Sequence, residues 1–226
     1  MATKAEPSAP IAFDHDVPYL GPPFPADAAT AVPDLVNLGN TRTGVGLVLK
    51  DYHSVTLAID ADRSRSDEGK ADAKQAAIPE HEKRLSYFNE ICKQQEAKTD
   101  TLAAEISAAL FKPSPNDPEL RGWFARAPRG GPGGQVEILT TALAEDNFEL
   151  IGAVCNANPA MRLISPEIRE HLIAAVAEKK FPEKVKELGH RRAACEVTRL
   201  ALNRARELLR GNLPQNIRDR LVVGNG

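Results

Sequence analysis

Residues 80–110 read EHEKRLSYFNEICKQQEAKTDTLAAEISAAL. In them Leu85, Phe88, Cys92, Gln95, Thr99, Leu102, Ile106 and Ala109 fall three and four residues apart in alternation. That spacing keeps every one of these side chains on a single stripe of an α-helix, the seam of a heptad repeat. The stripe is polar in its middle, at Gln95 and Thr99, where a strong self-sufficient coiled coil would place Leu or Ile. The helix therefore needs a partner, either the helix before it, folded back as a hairpin, or a second chain.

Working towards the start of the chain, Pro79 either occupies the first turn of this helix or kinks a longer one that begins near Asp67. Ser66 followed by Asp67, Glu68 and Gly69 has the composition of a helix cap. In residues 43–64 two patterns compete. Val45, Leu47, Leu49 and Val55, Leu57, Ile59 alternate as in a hairpin, while Val45, Val48, Tyr52, Val55 and Ile59 keep helical spacing. Helix is the favoured reading, because an isolated hairpin is marginal. Residues 1–40 hold seven of the 17 prolines, and proline fixes φ and lacks a backbone donor, so this stretch reads as an extended arm without helix or central strand. One Lys against five acidic residues gives the arm a formal −4. Phe13, Tyr19, Leu20 and Phe24 are its anchors, suited to strapping a neighbour or lying across the chain's own helices.

Towards the other end, Lys112-Pro113-Ser114-Pro115 stops the helix and Asp117-Pro118-Glu119 starts a short one through Trp123 and Phe124. Residues 127–134, with four glycines and two prolines, read as a linker and a domain boundary. Helices are expected over 136–144, over 148–155, from Ser165-Pro166-Glu167 onward, and from Pro182 to about Arg210, where Gly211 and Pro214 stop the last of them. The expected fold is all-α. An extended arm (1–42) precedes a helical hairpin or coiled-coil segment (43–127), a Gly/Pro linker (128–135) and a small helical bundle with a basic terminal helix (136–226).

Composition narrows the function. The chain has 226 residues, 42% apolar and 27% charged, with 29 Lys and Arg against 31 Asp and Glu and a formal net charge of −2. No global field marks it as a nucleic-acid or membrane-surface binder. No apolar run reaches the roughly 18 residues of a spanning helix, and nothing at the start reads as an export signal. Cys92, Cys155 and Cys195 lie far apart, as expected of reduced thiols in a cytoplasmic protein or in a particle assembled in the cytoplasm.

Catalytic hardware is missing from the pattern. Glu187-x-x-His190 has the spacing of a di-iron bundle helix but no second copy. Glu167 and His171 read as an exposed first turn, and in an extended Asp14-His15-Asp16 the imidazole points away from both carboxylates. His53-Ser54 lacks a Gly-x-Ser-x-Gly elbow, and the glycines at 130, 131, 133 and 134 lack the Lys-Ser/Thr of a phosphate loop. No catalytic residue, metal site or cofactor is expected. What stands out is charge. Residues 188–226 carry eight arginines against three acidic residues, a formal +5, and Arg192, Arg199 and Arg206 repeat every seven residues with Arg210 beyond them. Such a ridge is either a solvated face or a binder of carboxylate or phosphate.

The order of elements, with a helix, then Arg65-Ser66-Asp67-Glu68-Gly69-Lys70 opening a second, then Asn147-Phe148-Glu149-Leu150 to Pro159 and Ile164-Ser165-Pro166-Glu167, resembles the small helical accessory proteins of tailed-bacteriophage virions over about half the chain. That resemblance implies a capsid, connector or tail component and transfers no functional residue. The expectation is a non-enzymatic assembly protein, with copies of itself or other proteins of a larger assembly as partners, cytoplasmic or incorporated into a virion. The alternative is a nucleic-acid-associated regulator that sets the Arg ridge on phosphates.

Overall fold

The computed structural model describes residues 20–131 and 133–211, and all of their regular structure is helical. Helices α1 (Ala26–Ala31), α2 (Val36–Ala61), α3 (Asp67–Leu110), α4 (Asp117–Arg126), α5 (Gln135–Ala144), α6 (Phe148–Cys155), α7 (Pro166–Lys180) and α8 (Pro182–Leu209) follow one another, with 3₁₀ turns at Pro33–Leu35 and Pro159–Met161. The chain divides into two compact units, Met1–Lys98 with His190–Gly226, and Thr99–Gly189.

In the first unit the ambiguous stretch is helical, as burial makes plain. Val45, Val48 and Leu49 are buried while Leu47, which alternation would place beside Val45 and Leu49, is 59% exposed. Helix α2 turns into α3 through an Asx turn, in which Asp62 accepts hydrogen bonds from the backbone and hydroxyl of Ser64 and from Arg65. The Ser66 hydroxyl then accepts from the Gly69 amide and caps α3. Pro79 lies inside α3, so this is one helix of 44 residues, about 66 Å long. The heptad stripe consequently starts before Leu85, with Ile78 and His81 buried on the same face.

Helices α2 and α3 are antiparallel, because partners descend on one as they ascend on the other: Asp60 with Lys74, Asp51 with Arg84, Gly44 with Phe88, and, from the 3₁₀ turn that leads into α2, Asp34 with Lys98. Helix α8 runs antiparallel to α3, as the Cys92 thiol points at the Cys195 carbonyl and Arg210 pairs with Glu82. Helix α8 runs parallel to α2, as Asp34 with Arg191 and Tyr52 with the Leu209 carbonyl ascend together. The result is a three-helix bundle over a core that includes Leu38, Val45, Leu85, Cys92, Ala201 and Leu202.

The arm is where expectation and structure part. Residues 20–42 are not extended: α1, a 3₁₀ turn and the start of α2 fall within them. Pro25 caps α1 and Pro33 opens the 3₁₀ turn, positions where a missing N–H costs nothing and a φ fixed near −65° suits a helix start. Leu20 and Phe24 are buried in this chain's own core. Arg42, itself buried, donates to the carbonyls of Leu20 (3.4 Å) and Gly21 (3.0 Å) and ties the segment to α2. Phe13 and Tyr19 lie outside the described residues.

The second unit gathers the end of α3, helices α4–α7 and the first turns of α8. At its centre α6 is buried all round, from Leu150 to Cys155. Asn147 caps it by accepting from the Leu150 amide, and the Phe111 ring lies 3.0 Å from where a Cβ on Gly152 would stand. Ile106, Leu110, Phe124, Leu139, Leu172 and Val176 close around it.

The expected linker is not a domain boundary, since it lies inside this unit. It is a tied turn between α4 and α5: the Gly134 amide donates to the Gly131 carbonyl, the Gln135 amide to the Pro128 carbonyl, and the Gln135 side chain to the Phe124 carbonyl. Gly131 and Gly133 take left-handed φ values of 82° and 70° there, which explains glycine without implying freedom. The division between units falls within α3 and α8 instead, at Lys98 and Thr99 and again at Gly189 and His190. Residues 190–209, the greater part of α8, thus belong to the first unit and not to the carboxy-terminal bundle expected over 136–226.

Candidate functional site

The helical stripe of α3 is present as a stripe, but it is used inside the chain. Leu85 and Cys92 are buried in the first core with Phe88 packed against it, and Ile106 is buried in the second with Leu102 packed against it. Gln95 and Thr99, between the two groups, are also buried. Ala109 is exposed and Leu110 takes the last inward position. Because this stripe and the Leu20 and Phe24 anchors are both internal, neither is a free face.

The ridge on α8 remains outside. Arg192 and Arg199 are exposed and Arg206 half-buried, and none of the three forms an ion pair among the described residues. Arg210, expected to extend the ridge, is neutralised by Glu82 at 3.0 Å. Arg191, one residue off the ridge, is taken up by Asp34 at 3.2 Å. Guanidinium groups seven residues apart on a helix stand about 10.5 Å from one another along the axis, so the three present separate contacts to an extended acidic surface.

A second basic feature, invisible in the sequence pattern, lies in the Thr99–Gly189 unit. A cavity of ≈ 690 Å³ opens between the α4–α5 turn, the Asn156–Ser165 loop and the start of α7. Its floor is apolar, with Leu139, Val154, Leu163 and Ile164, and its wall carries the exposed Val136 and Ile168. Arg129, Arg162 and Arg169 surround it against the single acidic Glu170, a formal +2. Arg169 is held in place by donating its Nε to the Cys155 carbonyl at 2.8 Å. Arg162 closes the second 3₁₀ turn with φ 47°, a left-handed conformation that costs a side-chain-bearing residue about 1–2 kcal/mol. None of the three arginines pairs with a carboxylate among the described residues. They are 33 and 7 residues apart in sequence (129 to 162 to 169), without periodicity, so only the fold brings them together.

Other candidates resolve into structure. The His190 ring stands 3.8 Å from Asp27, and no group of three or more His, Cys, Asp or Glu able to hold a metal exists among the described residues. The Ser165 hydroxyl caps α7 and holds the Glu167 carboxyl below its usual range. Asp14-His15-Asp16 lies outside the described residues. All three cysteines are buried thiols: burial, with Glu96 beside it, pushes Cys92 up to about 12, and burial pushes Cys155 up to about 11. Neither supplies a thiolate at neutral pH. No described helix is long and apolar enough to cross a membrane.

Comparison with protein-family models, with curated proteins and with solved structures finds no match.

Proposed function

We propose that this chain is a non-enzymatic assembly protein whose contacts are made by arginine-bearing surfaces and by the acidic, apolar residues that precede Leu20. The observation that carries the reading is that the arginines at 192, 199, 129, 162 and 169 are exposed and that at 206 half-buried, all without a carboxylate partner among the described residues. Isolated exposed charges are ordinary; two separate groups of unpaired guanidinium groups are suited to carboxylates supplied from outside.

The complement is present in the same chain. Glu6, Asp14 and Asp16 against Lys4 give residues 1–19 a formal −2, and Ile11, Phe13, Val17 and Tyr19 make the stretch apolar as well as acidic. That pairing supports self-assembly; docking on another protein of a larger particle, such as a phage virion, is the same reading with a different partner. The test is the solution mass of the full chain by light scattering over a range of concentration, at low and at high salt. Oligomers that loosen as salt rises support contacts between arginines and carboxylates. A monomer under all conditions that instead binds duplex DNA of arbitrary sequence, with affinity falling steeply with salt, would replace this reading by the nucleic-acid one.

A further inference from the structure

We propose that the arginine-rimmed cavity of the Thr99–Gly189 unit is the receptor for residues 11–19 of a second copy of this chain. The inference rests on the assembly reading and names the surface that reading leaves open. Cavities of about 300–1,000 Å³, mostly apolar with a few placed polar groups, are the usual size and make-up of ligand sites, and this one has ≈ 690 Å³.

The segment Ile11-Ala12-Phe13-Asp14-His15-Asp16-Val17-Pro18-Tyr19 fits it by chemistry. Bound as an extended strand, the segment would alternate its side chains. Phe13, His15 and Val17 then face one way and Asp14 and Asp16 the other. With Phe13, His15 and Val17 turned toward a lining that includes Leu139, Val154 and Ile164, the two carboxylates would face outward, toward the exposed Arg129 and Arg162 and toward Arg169, which is fixed by its bond to Cys155. Two guanidinium forks can then hold two carboxylates in bidentate fashion, with Glu170 the one acidic residue among the described residues that line the cavity.

Leu20 is pinned in the first unit by burial and by Arg42, and the seven steps from Leu20 back to Phe13 span up to about 25 Å of extended chain. A contact of this kind joins one patch to a different patch, so it is heterologous and propagates from copy to copy until a ring closes or a filament grows.

The experiment is a charge exchange on full-length chains, read by sedimentation velocity over a concentration series. Asp14→Arg with Asp16→Arg reverses the segment, and Arg129→Glu with Arg162→Glu reverses the cavity. Each pair alone should weaken self-association at least about tenfold, the loss expected for charge-assisted hydrogen bonds. An equimolar mixture of the two variants should restore it, because each of the two contacts in the mixed pair is again between opposite charges. Recovery in the mixture also shows that both variants are folded.

Wild-type association that survives the cavity substitutions but not the segment substitutions would overturn the cavity as receptor and leave the assembly reading standing. The cavity is likewise overturned if Arg199→Glu abolishes association and the cavity pair does not. Recovery confined to a chain carrying all four substitutions, with none in the mixture, would place the segment on its own chain and overturn the proposal. A wild-type chain that stays monomeric at every concentration would overturn the assembly reading and this one with it.

Discussion

Replacing Gly44 by Ala sets two effects of opposite sign against each other. Gly44 sits in the interior of α2, where Ala is favoured over Gly by about 1 kcal/mol on helix propensity alone. A Cβ at this position, however, would land on the far edge of the Phe88 ring of α3. Overpacking of that kind costs about 1–3 kcal/mol. Phe88 is half-buried, with Tyr87 edge-on at 5.6 Å, so its ring can yield part of the way and the cost falls near the middle of the range. The expected balance is a net destabilisation of about 1 kcal/mol. Two controls isolate the terms. Gly189 in α8 has open space where its Cβ would stand, so Gly189→Ala should stabilise by about 1 kcal/mol. In a Phe88→Ala background the obstacle is gone, and Gly44→Ala should then stabilise by a similar amount, a coupling of about 2 kcal/mol between the two positions. Urea unfolding followed by far-ultraviolet circular dichroism measures all five proteins. A Gly44→Ala variant as stabilised as Gly189→Ala, or an equal effect with and without the Phe88 ring, would refute the close approach of α2 and α3 at this point.

Acid sensitivity should reside partly in Asp51, whose carboxyl is held below its ordinary 3.8 by its hydrogen bond to Arg84, with His81 adding to it. A depressed folded value means stability that is complete above the ordinary pKa and is lost as pH falls through the folded one, so Asp51→Asn should flatten the stability-against-pH curve below about pH 4. Ile151, fully buried in α6, should cost about 2–5 kcal/mol when cut to Ala, and the fluorescence of Trp123, the chain's one tryptophan and a member of the same unit, should report the shifted unfolding midpoint. The thiols should resist an alkylating reagent at pH 8 in the folded protein and react fully in denaturant, since Cys92 and Cys155 ionise only at about 12 and about 11; rapid labelling of the native chain would contradict their burial.

Periodicity carried most of the fold. The three-and-four spacing from Leu85 to Ile106, the Ser66 and Ser165 caps and the stop after Leu209 are local signals, set by helix geometry and by a few hydrogen bonds near in sequence. Proline misled in one direction and glycine in another. Pro25 and Pro33 were legible as helix breakers, yet each stands where a helix begins, and whether a proline starts or forbids a helix depends on what the following turn packs against. The glycines at 130–134 were legible as a break in helix, which they are, but composition does not distinguish a tether from a turn fastened by Pro128, Phe124 and Gln135. The ridge at Arg192, Arg199 and Arg206 could be seen because it repeats at seven. Arg129, Arg162 and Arg169 could not, since a cavity is made by segments distant in sequence and leaves no period behind. Arg42 was hidden for a related reason: its partners are backbone carbonyls, which every residue has.

The unit that holds α2 is interrupted: the chain leaves it at Lys98 and returns only at His190. During synthesis this imposes an order. The Thr99–Gly189 stretch is contiguous and has all its core residues available before the rest of α8 emerges, whereas α2 and α3 must wait for the ribosome to deliver Ala194, Ala201 and Leu202. Until then Val45, Leu85 and Cys92 line an uncovered furrow in the nascent chain. A stalled or truncated product ending before residue 190 would carry that furrow permanently, and would be a substrate for chaperones and proteases even though half of it had folded correctly.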